Sequence, residues 1–328
     1  MTVTERRAAV LTIGEGLAVL RTRDHDSLAT VSELAVGTGG AEGNVAIGLS
    51  RLGAPVTWLG RVGDDGFGRR VVRELRAEGV DVIARVDAGA PTGLLVKSAP
   101  APGRTDVTYY RAGSAGSRLT RTDLDGIDLA RFALVHVTGI TPALSSSASE
   151  TVDALVALAR EAGVPVSFDV NHRSRLWPDA IAAIECYRRL AALADIVFAG
   201  EDEAAMLLGG ADEPAKLAQN ISALGPGEVV IKLGAEGALA HSTSEAGAEV
   251  HRSDAARVRV VDTVGAGDAF VAGYLAERIA GEPVEVRLKT AVRTGAAACL
   301  HPGDWEGAAT RAQLANLFEP ESSDPVRR

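Results

Sequence analysis

The sequence is poor in cysteine, in lysine and in aromatic residues, and it has no long hydrophobic run. Its 328 residues include two cysteines, Cys186 and Cys299, which form no C-x-x-C pair. Two cysteines cannot build a disulfide framework, so we expect buried thiols in the reducing cytoplasm. The longest apolar stretches, such as 132–137, fall far short of the roughly 20 residues that cross a bilayer, so we expect no membrane partner. The N-terminus has no apolar segment typical of a signal peptide.

Positive charge is also scarce. The chain has 34 Lys and Arg residues against 43 Asp and Glu residues, which gives a formal net charge of −9. Because nucleic-acid binding requires clustered basic residues that neutralise phosphates, this balance argues against nucleic acid as the main partner. Four of the basic residues are lysines, namely Lys97, Lys216, Lys232 and Lys289. Anion recognition should therefore depend mostly on arginine, whose planar fork suits carboxylates and phosphates.

Short β-branched runs alternate with amphipathic helical patterns along most of the chain. Predicted strands are Ala8–Ile13, Val56–Leu59, Phe132–Val137, Val164–Val170, Asp195–Ala199, Val229–Leu233, Ala238–His241 and Val258–Val261. Predicted helices are Ala41–Leu52, Phe67–Ala77, Ser147–Glu161, Glu201–Leu208, Ala266–Ala280 and Val284–Leu300. This alternation predicts an α/β fold with a doubly wound, mostly parallel sheet and helices on both faces.

Two segments interrupt the alternation. Residues 17–36 contain strand-like pieces without an amphipathic helix, and residues 92–111 read as two strands joined by a turn. Segments of this kind form either a small β-sheet lid beside the main sheet or an extra antiparallel edge on it, and the pattern alone leaves both open. The tail, residues 319–328, is polar and proline-containing, and we expect it to be disordered.

The segment Val261–Phe270, VDTVGAGDAF, lies between a β-run and an amphipathic helix. The backbone N–H groups of Gly265, Ala266 and Gly267 would point at one spot beside the helix N-terminus, which makes an anion hole. Asp268 in that first turn has two interpretations. It is either a capping residue or a general base that takes a proton from a hydroxyl while the amides stabilise phosphoryl charge.

Two common nucleotide-binding motifs are absent. The sequence contains no Gly-Lys pair, so there is no Walker A motif. The dinucleotide fingerprint also fails, because the third glycine position after Gly37 and Gly39 holds Glu42. Phosphate binding would thus depend on the turn at residues 265–268, and a nicotinamide-dependent oxidoreductase is disfavoured.

A second glycine-rich segment spans Gly39–Ala46, where a glycine pair opens a helix. The amides of Gly39 and Gly40 and the side chain of Asn44 could bind sugar hydroxyls. The alternative is a plain turn followed by a helix start.

Together these segments resemble the ribokinase-like (PfkB) family of carbohydrate kinases. Asp262–Asp268 matches the D-T-x-G-A-G-D signature, and Gly39–Ala46 matches the pattern G-G-x-x-x-N-x-A. The resemblance covers about residues 8–318 as one kinase domain. It implies an αβα core, a β-lid from about residues 17–36 and 92–111, and transfer of the ATP γ-phosphate with Mg²⁺. A monovalent cation is left open.

The resemblance also implies roles for individual residues. Asp268 would be the catalytic base, assisted by the amides of Gly265, Ala266 and Gly267. The residues that contact the nucleotide would be Gly265, Gly267, Asn171, Lys232, Gly234 and Gly237. Glu203 would order the metal ion through water, although relatives often have asparagine where this chain has Gly200.

Further segments are similar to the branch of the family that phosphorylates the terminal hydroxyl of 2-keto-3-deoxygluconate. They include Tyr109–Arg111, Asp169–Arg173 and Gly303–Gly307. The substrate-binding residues would be Gly39, Gly40, Asn44, Tyr109, Arg111, Arg173 and Asp304. Relatives that act on neutral sugars commonly have aspartate at the position of Val19, and an apolar residue there suits a 3-deoxy compound because no polar group is left unpaired.

Arg111 is the natural fork for the carboxylate of a sugar acid, although an exposed edge-strand arginine would have the same local pattern. Arg173 follows a predicted strand where open α/β sheets place their ligand crevice, and a surface arginine is the alternative there. Leu95 replaces a lid tyrosine of close relatives, and Val292 stands where relatives can have asparagine near adenine. A kinase for a neutral sugar such as fructose or ribose and a non-catalytic sugar-binding sensor stay open as alternatives. We also expect a homo-oligomer assembled through the lid.

Overall fold

A computed structural model describes residues 9–22, 27–101, 104–244 and 247–318. The predicted tail at residues 319–328 lies outside the described residues. The strands are β1 Ala9–Ile13, β2 Leu17–Arg21, β3 Ala35–Gly39, β4 Val56–Gly63, β5 Asp81–Asp87, β6 Leu94–Ala101, β7 Arg104–Tyr110, β8 Phe132–Thr138, β9 Val166–Asp169, β10 Ile196–Gly200, β11 Glu228–Lys232, β12 Ala238–Ser244 and β13 Gly247–Ser253. The helices are α1 Ala41–Arg51, α2 Gly66–Ala77, α3 Ser146–Glu161, α4 Ala180–Leu193, α5 Glu201–Leu208, α6 Pro214–Ser222, α7 Ala266–Ala280, α8 Val284–Ala298 and α9 Arg311–Phe318.

The larger sheet has nine strands in the order β13-β12-β11-β10-β9-β8-β1-β4-β5. Pairing is parallel from β11 through to β5. At the other end β12 and β13 run antiparallel. The prediction of a mostly parallel α/β sheet is therefore confirmed.

Both faces of this sheet are covered by helices. Along β1, Leu11 and Ile13 pack into the cluster that contains α3, whereas Val10 packs into the cluster that contains α1 and α7. Strands buried on both faces have continuous hydrophobic sequences, which explains why β1, β8 and β10 were recognisable from sequence. Within the described ranges, no helix combines the length and the apolar character needed to span a bilayer.

The two interrupting segments form a separate four-stranded sheet, in the order β3-β2-β6-β7. Its outer pairs are antiparallel, and β2 and β6 are parallel. Leu17, Val19 and Leu95 are buried in it as a cluster, against which Val107 packs. We call these four residues the apolar patch. The segments thus build a separate small sheet rather than an extra edge on the larger one.

The predicted strand at Val258–Val261 is wrong. These residues form no strand, and Val260 and Val261 are exposed. The place beside β12 is taken by β13, which the sequence analysis did not predict, so the later run has no strand to pair with. The segment instead leads to α7, and the N–H of Val261 donates to the carbonyl oxygen of Cys299 at 2.8 Å.

Candidate active site

A cavity of about 1250 Å³ lies between the carboxyl ends of the larger sheet's strands and the small sheet. Its wall on the large-sheet side includes Asn44, Asp169 and Asp268, and its wall on the small-sheet side includes Lys97 and Tyr109. Open α/β sheets bind ligands at this edge, in the crevice outside the carboxyl ends of the strands. The fold therefore brings most of the predicted site residues to one place.

The N-terminus of α7 depends on the glycine at its start. Gly265 has φ of 75°, in the left-handed region that side chains disfavour. A Cβ atom on Gly265 would lie 1.8 Å from the carbonyl oxygen of Asp304, which is an impossible contact. Glycine at this position therefore allows the loop containing Asp304 to pack directly on the helix start, and Gly265 and Gly267 both line the cavity.

Asp268 lies in the first turn of α7 and is only 9% exposed. Its carboxylate accepts hydrogen bonds from Asn44 Nδ2 at 2.8 Å and from Asn171 Nδ2 at 3.3 Å. Burial raises the pKa of Asp268 from 3.8 to about 7, with a further contribution from the Asp169 carboxylate. A carboxylate whose pKa lies near neutrality can both accept and release a proton at working pH.

Asn44 connects the two glycine-rich segments that the sequence analysis singled out. Its Nδ2 donates to Asp268, and its buried Oδ1 has no hydrogen-bond partner among the described residues. Because Asn44 lines the cavity, this oxygen is an acceptor available to a ligand that has a hydroxyl.

The ends of β9 and β11 carry a second charged group. Lys232 Nζ lies 2.7 Å from Asp169 Oδ1, and both residues line the cavity. Asn171 follows at φ of 40°, a left-handed conformation that asparagine tolerates better than most residues. Arg173, two residues further, also lines the cavity.

Glu203 lies behind this loop. Its carboxylate accepts the backbone N–H of Gly200 and of His172, each at 2.7 Å. It therefore caps α5 and fixes the loop after β9. Glu203 and the turn glycines Gly234 and Gly237 do not line the cavity, although Glu203 holds the N–H of His172, which does.

On the small sheet, Arg111 is buried rather than exposed. Its Nε donates to Glu15 Oε2 at 2.7 Å, and Ser114 also donates to Glu15. The Arg111 guanidinium carbon lies 5.3 Å from the centre of the Tyr109 ring. The exposed edge-strand interpretation is thus wrong, and Glu15, which the sequence motifs did not single out, takes up part of the arginine fork.

A second buried ion pair joins the small sheet to the loop before α9. Lys97 Nζ lies 2.8 Å from Asp304 Oδ2, and both side chains are less than a tenth exposed. Burial raises the pKa of Asp304, and the Lys97 ammonium opposes that rise. Sequence reasoning selected Asp304 and missed Lys97. The available signals were the rarity of lysine and the position of Lys97 two residues after Leu95, on the same strand face.

A family model described as pfkB family carbohydrate kinase matches residues 8–311. A 2-dehydro-3-deoxygluconokinase from Bacillus subtilis is 39% identical over 314 residues, which cover 95% of each chain. A 2-dehydro-3-deoxygalactonokinase from Haloferax volcanii is 36% identical over 88% of this chain and 90% of its own.

Among solved structures, a fructokinase from Vibrio cholerae in its fructose-, ADP- and calcium-bound form has a TM-score of 0.84 at 27% identity. The match covers 95% of this chain and 99% of that one. Sequence signature, fold and relatives agree across nearly the whole length, and this protein belongs to the pfkB family of carbohydrate kinases.

Proposed function

We propose that this kinase transfers the γ-phosphoryl group of ATP to the terminal hydroxyl of 2-keto-3-deoxygluconate, giving 2-keto-3-deoxy-6-phosphogluconate. The observation that carries the proposal is the position of Asp268, which is buried in the cavity and has a pKa of about 7. The choice of sugar acid is supported by the 39% identical relative, a 2-dehydro-3-deoxygluconokinase. 2-Dehydro-3-deoxygluconate and 2-keto-3-deoxygluconate are two names for the same compound.

Asp268 would act as the general base. Asn44 and Asn171 hold its two carboxylate oxygens, so the group is already oriented before substrate binds. The terminal hydroxyl would give its proton to Asp268 as the oxygen attacks the γ-phosphorus, and the bond to the leaving ADP oxygen breaks. The Asn44 Oδ1 would accept a hydrogen bond from a sugar hydroxyl, which satisfies an otherwise unpartnered atom.

Positive potential for the phosphates would come from the start of α7 and from two side chains. The N–H groups of Gly265, Ala266 and Gly267 lie at the helix N-terminus, where they would stabilise the transferring phosphoryl group. Arg173 and Lys232 line the cavity and would contact phosphate oxygens. Gly234 and Gly237 would shape the adjoining turn on the nucleotide side.

The residues present fit a Mg²⁺ ion that arrives with the nucleotide. In the part of the chain that the structure describes, no group of three or more His, Cys, Asp or Glu side chains could hold a metal by itself. Mg²⁺ commonly uses one or two carboxylates together with phosphates and water. Asp169 on the cavity wall would supply such a carboxylate, and Glu203, which lies behind the loop with both oxygens accepting backbone N–H groups, would act through water. When bound, the ion would neutralise phosphate charge. Whether a monovalent cation assists is left to titration with K⁺ and Na⁺.

The sugar acid would lie against the small sheet. Leu17, Leu95 and Val107 of the apolar patch line this side of the cavity, and they suit the methylene at C3 because no polar protein group is left unpaired there. Arg111 would bind the substrate carboxylate through the donors that Glu15 does not use, with Tyr109 beside it. Gly39 and Gly40 would allow close approach of the sugar, and the small sheet would act as a lid that excludes water.

A substrate panel tests this proposal. We expect ADP release, measured in a coupled assay, to be fastest with 2-keto-3-deoxygluconate or its galacto epimer, and slower with fructose and ribose. Faster turnover of fructose or ribose would instead identify a neutral-sugar kinase. Sugar binding by calorimetry without ADP release would indicate a sensor. The predicted assembly through the lid is tested separately, by light scattering of the intact chain.

A further inference from the structure

The ion pair between Lys97 and Asp304 has a structural position that stability alone does not explain. Lys97 lies on β6 and Asp304 on the loop before α9, 207 residues apart, with Nζ and Oδ2 separated by 2.8 Å. Removing two charges from water is costly, and an apolar pair of similar size often stabilises a protein as well or better. Both residues line the cavity, which points to a role in ligand recognition.

The chemistry of the pair selects one kind of ligand group. A lysine ammonium only donates hydrogen bonds, and a carboxylate only accepts them. Placed 2.8 Å apart, the two offer a donor beside an acceptor. A hydroxyl can use both, because it can donate to Asp304 and accept from Lys97. A substrate carboxylate at this point would be repelled by Asp304.

An apolar side chain and a glycine lie beside this polar feature. Leu95, two residues before Lys97 on β6, lines the same cavity and belongs to the apolar patch. On the other side, Gly39 approaches Asp304 so closely that a Cβ atom there would be 3.0 Å from the carboxyl carbon. The absence of a side chain at Gly39 leaves the Asp304 carboxylate accessible. A ligand hydroxyl at this end of the cavity would therefore meet the ion pair.

We propose that Lys97, acting together with Asp304, is a specificity-determining residue that binds a secondary hydroxyl of the sugar acid, at C4 or C5. The inference rests on the proposed function and deepens it. It divides the recognition of the substrate between two buried ion pairs. The pair of Arg111 and Glu15 serves the anionic end, and the pair of Lys97 and Asp304 reads a hydroxyl.

The test compares 2-keto-3-deoxygluconate with its 4-deoxy and 5-deoxy analogues in the wild-type protein and in Lys97→Met. In the wild type, removal of the hydroxyl that the pair binds should lower kcat/KM roughly 10- to 100-fold, as expected for a lost hydrogen bond to charged groups. In Lys97→Met the factor by which the same removal lowers kcat/KM should be at least about fivefold smaller, because substrate and protein changes at one contact are not additive.

Two variants serve as controls. Lys97→Arg keeps a positive donor and should keep most of the wild-type discrimination. Lys216→Met removes an exposed lysine that pairs with Asp212 on the surface, and it should leave all three kcat/KM values unchanged. If Lys97→Met lowers kcat/KM for all three compounds by one common factor, Lys97 only holds the small sheet in place and the inference is overturned.

Lys97→Met leaves Asp304 buried without its partner and could unfold the protein. The double variant Lys97→Met/Asp304→Leu avoids this problem because it replaces the pair with apolar groups. In that variant the deoxy analogue that is disfavoured by the wild type should no longer be a worse substrate than the parent compound, and a retained 10-fold loss for that analogue contradicts the inference. If the wild type phosphorylates no sugar acid, the proposed function fails first and this inference fails with it.

Discussion

Replacing Asp268 by asparagine should abolish catalysis and at the same time stabilise the ligand-free protein at neutral pH. The buried carboxyl group has a pKa of about 7 in the folded protein, against 3.8 ordinarily. Between these values the unfolded chain releases a proton that the folded protein retains. The contribution of this group to the free energy of unfolding has its full value below pH 3.8, and it is lost as the pH rises through about 7.

The magnitude follows from the width of that pH window. Each pH unit within it costs about 1.36 kcal/mol, so the free energy of unfolding should fall by roughly 4 kcal/mol in total relative to a group that does not titrate. Asparagine is nearly isosteric, does not titrate and can still accept from Asn44 through its amide oxygen. The stability difference between Asp268→Asn and the wild type should therefore increase from pH 5 to pH 7 and stay constant above it.

Urea unfolding of both proteins without ligands, at pH 5, 6, 7 and 8, measures this difference. Asp125→Asn is the matched control, since it makes the same substitution at an exposed position. Its stability offset should not vary over this range. If the free energies of unfolding of Asp268→Asn and wild type differ by the same amount at pH 5 and pH 8, or if the variant is less stable than wild type at pH 8, the Asp268 carboxyl does not titrate near pH 7 in the folded protein.

Three other substitutions test separate parts of the site. Gly265→Ala should reduce kcat by more than about 100-fold and lower the melting temperature, because its Cβ would overlap the Asp304 carbonyl oxygen at a positive φ; near-normal kcat would show that the turn is not constrained. Arg111→Met should destabilise the protein by about 3–5 kcal/mol in urea unfolding, since it leaves the Glu15 carboxylate buried and unpaired. The double variant Arg111→Met/Glu15→Gln should recover much of this lost stability in the same measurement, and no recovery would argue against the pairing of Arg111 with Glu15. Val19→Asp should lower kcat/KM for 2-keto-3-deoxygluconate by about 100-fold, because it buries a carboxylate in the apolar patch; unchanged kcat/KM would separate the patch from the substrate.

The local features of the fold could be predicted from the sequence. Helix α7 was predicted with the bounds that the structure has, because its glycine-rich start and amphipathic pattern are both continuous in the chain. The pattern of the two segments without helical periodicity left a small sheet and an extra edge both open. The family resemblance implied the separate sheet that the structure has. The failure at Val258–Val261 shows the limit of this reasoning. A β-branched run has the propensity of a strand, but a strand also needs a neighbour, and β13 already occupied that edge.

The site residues also divide into those that a local motif reveals and those whose contacts depend on distant segments. Asp268, Asn44 and Asn171 could be selected from motifs, and the structure brings them within hydrogen-bond distance. The ion pairs made by the charged residues of the small sheet could not be predicted. Arg111 and Glu15 are 96 residues apart, and such pairs leave no periodic or local pattern. The pKa of Asp268 also depends on burial by distant segments, which no single motif records.

The proposed function depends on phosphorylation of a 2-keto-3-deoxy sugar acid at its terminal hydroxyl. Phosphorus NMR of the product formed from 2-keto-3-deoxygluconate and ATP tests it most directly. We expect one new phosphate-ester signal, coupled to the two methylene protons at C6. A signal coupled to a single methine proton, or ATP consumption that yields ADP and inorganic phosphate without a new phosphate ester, would show that the terminal hydroxyl is not the acceptor.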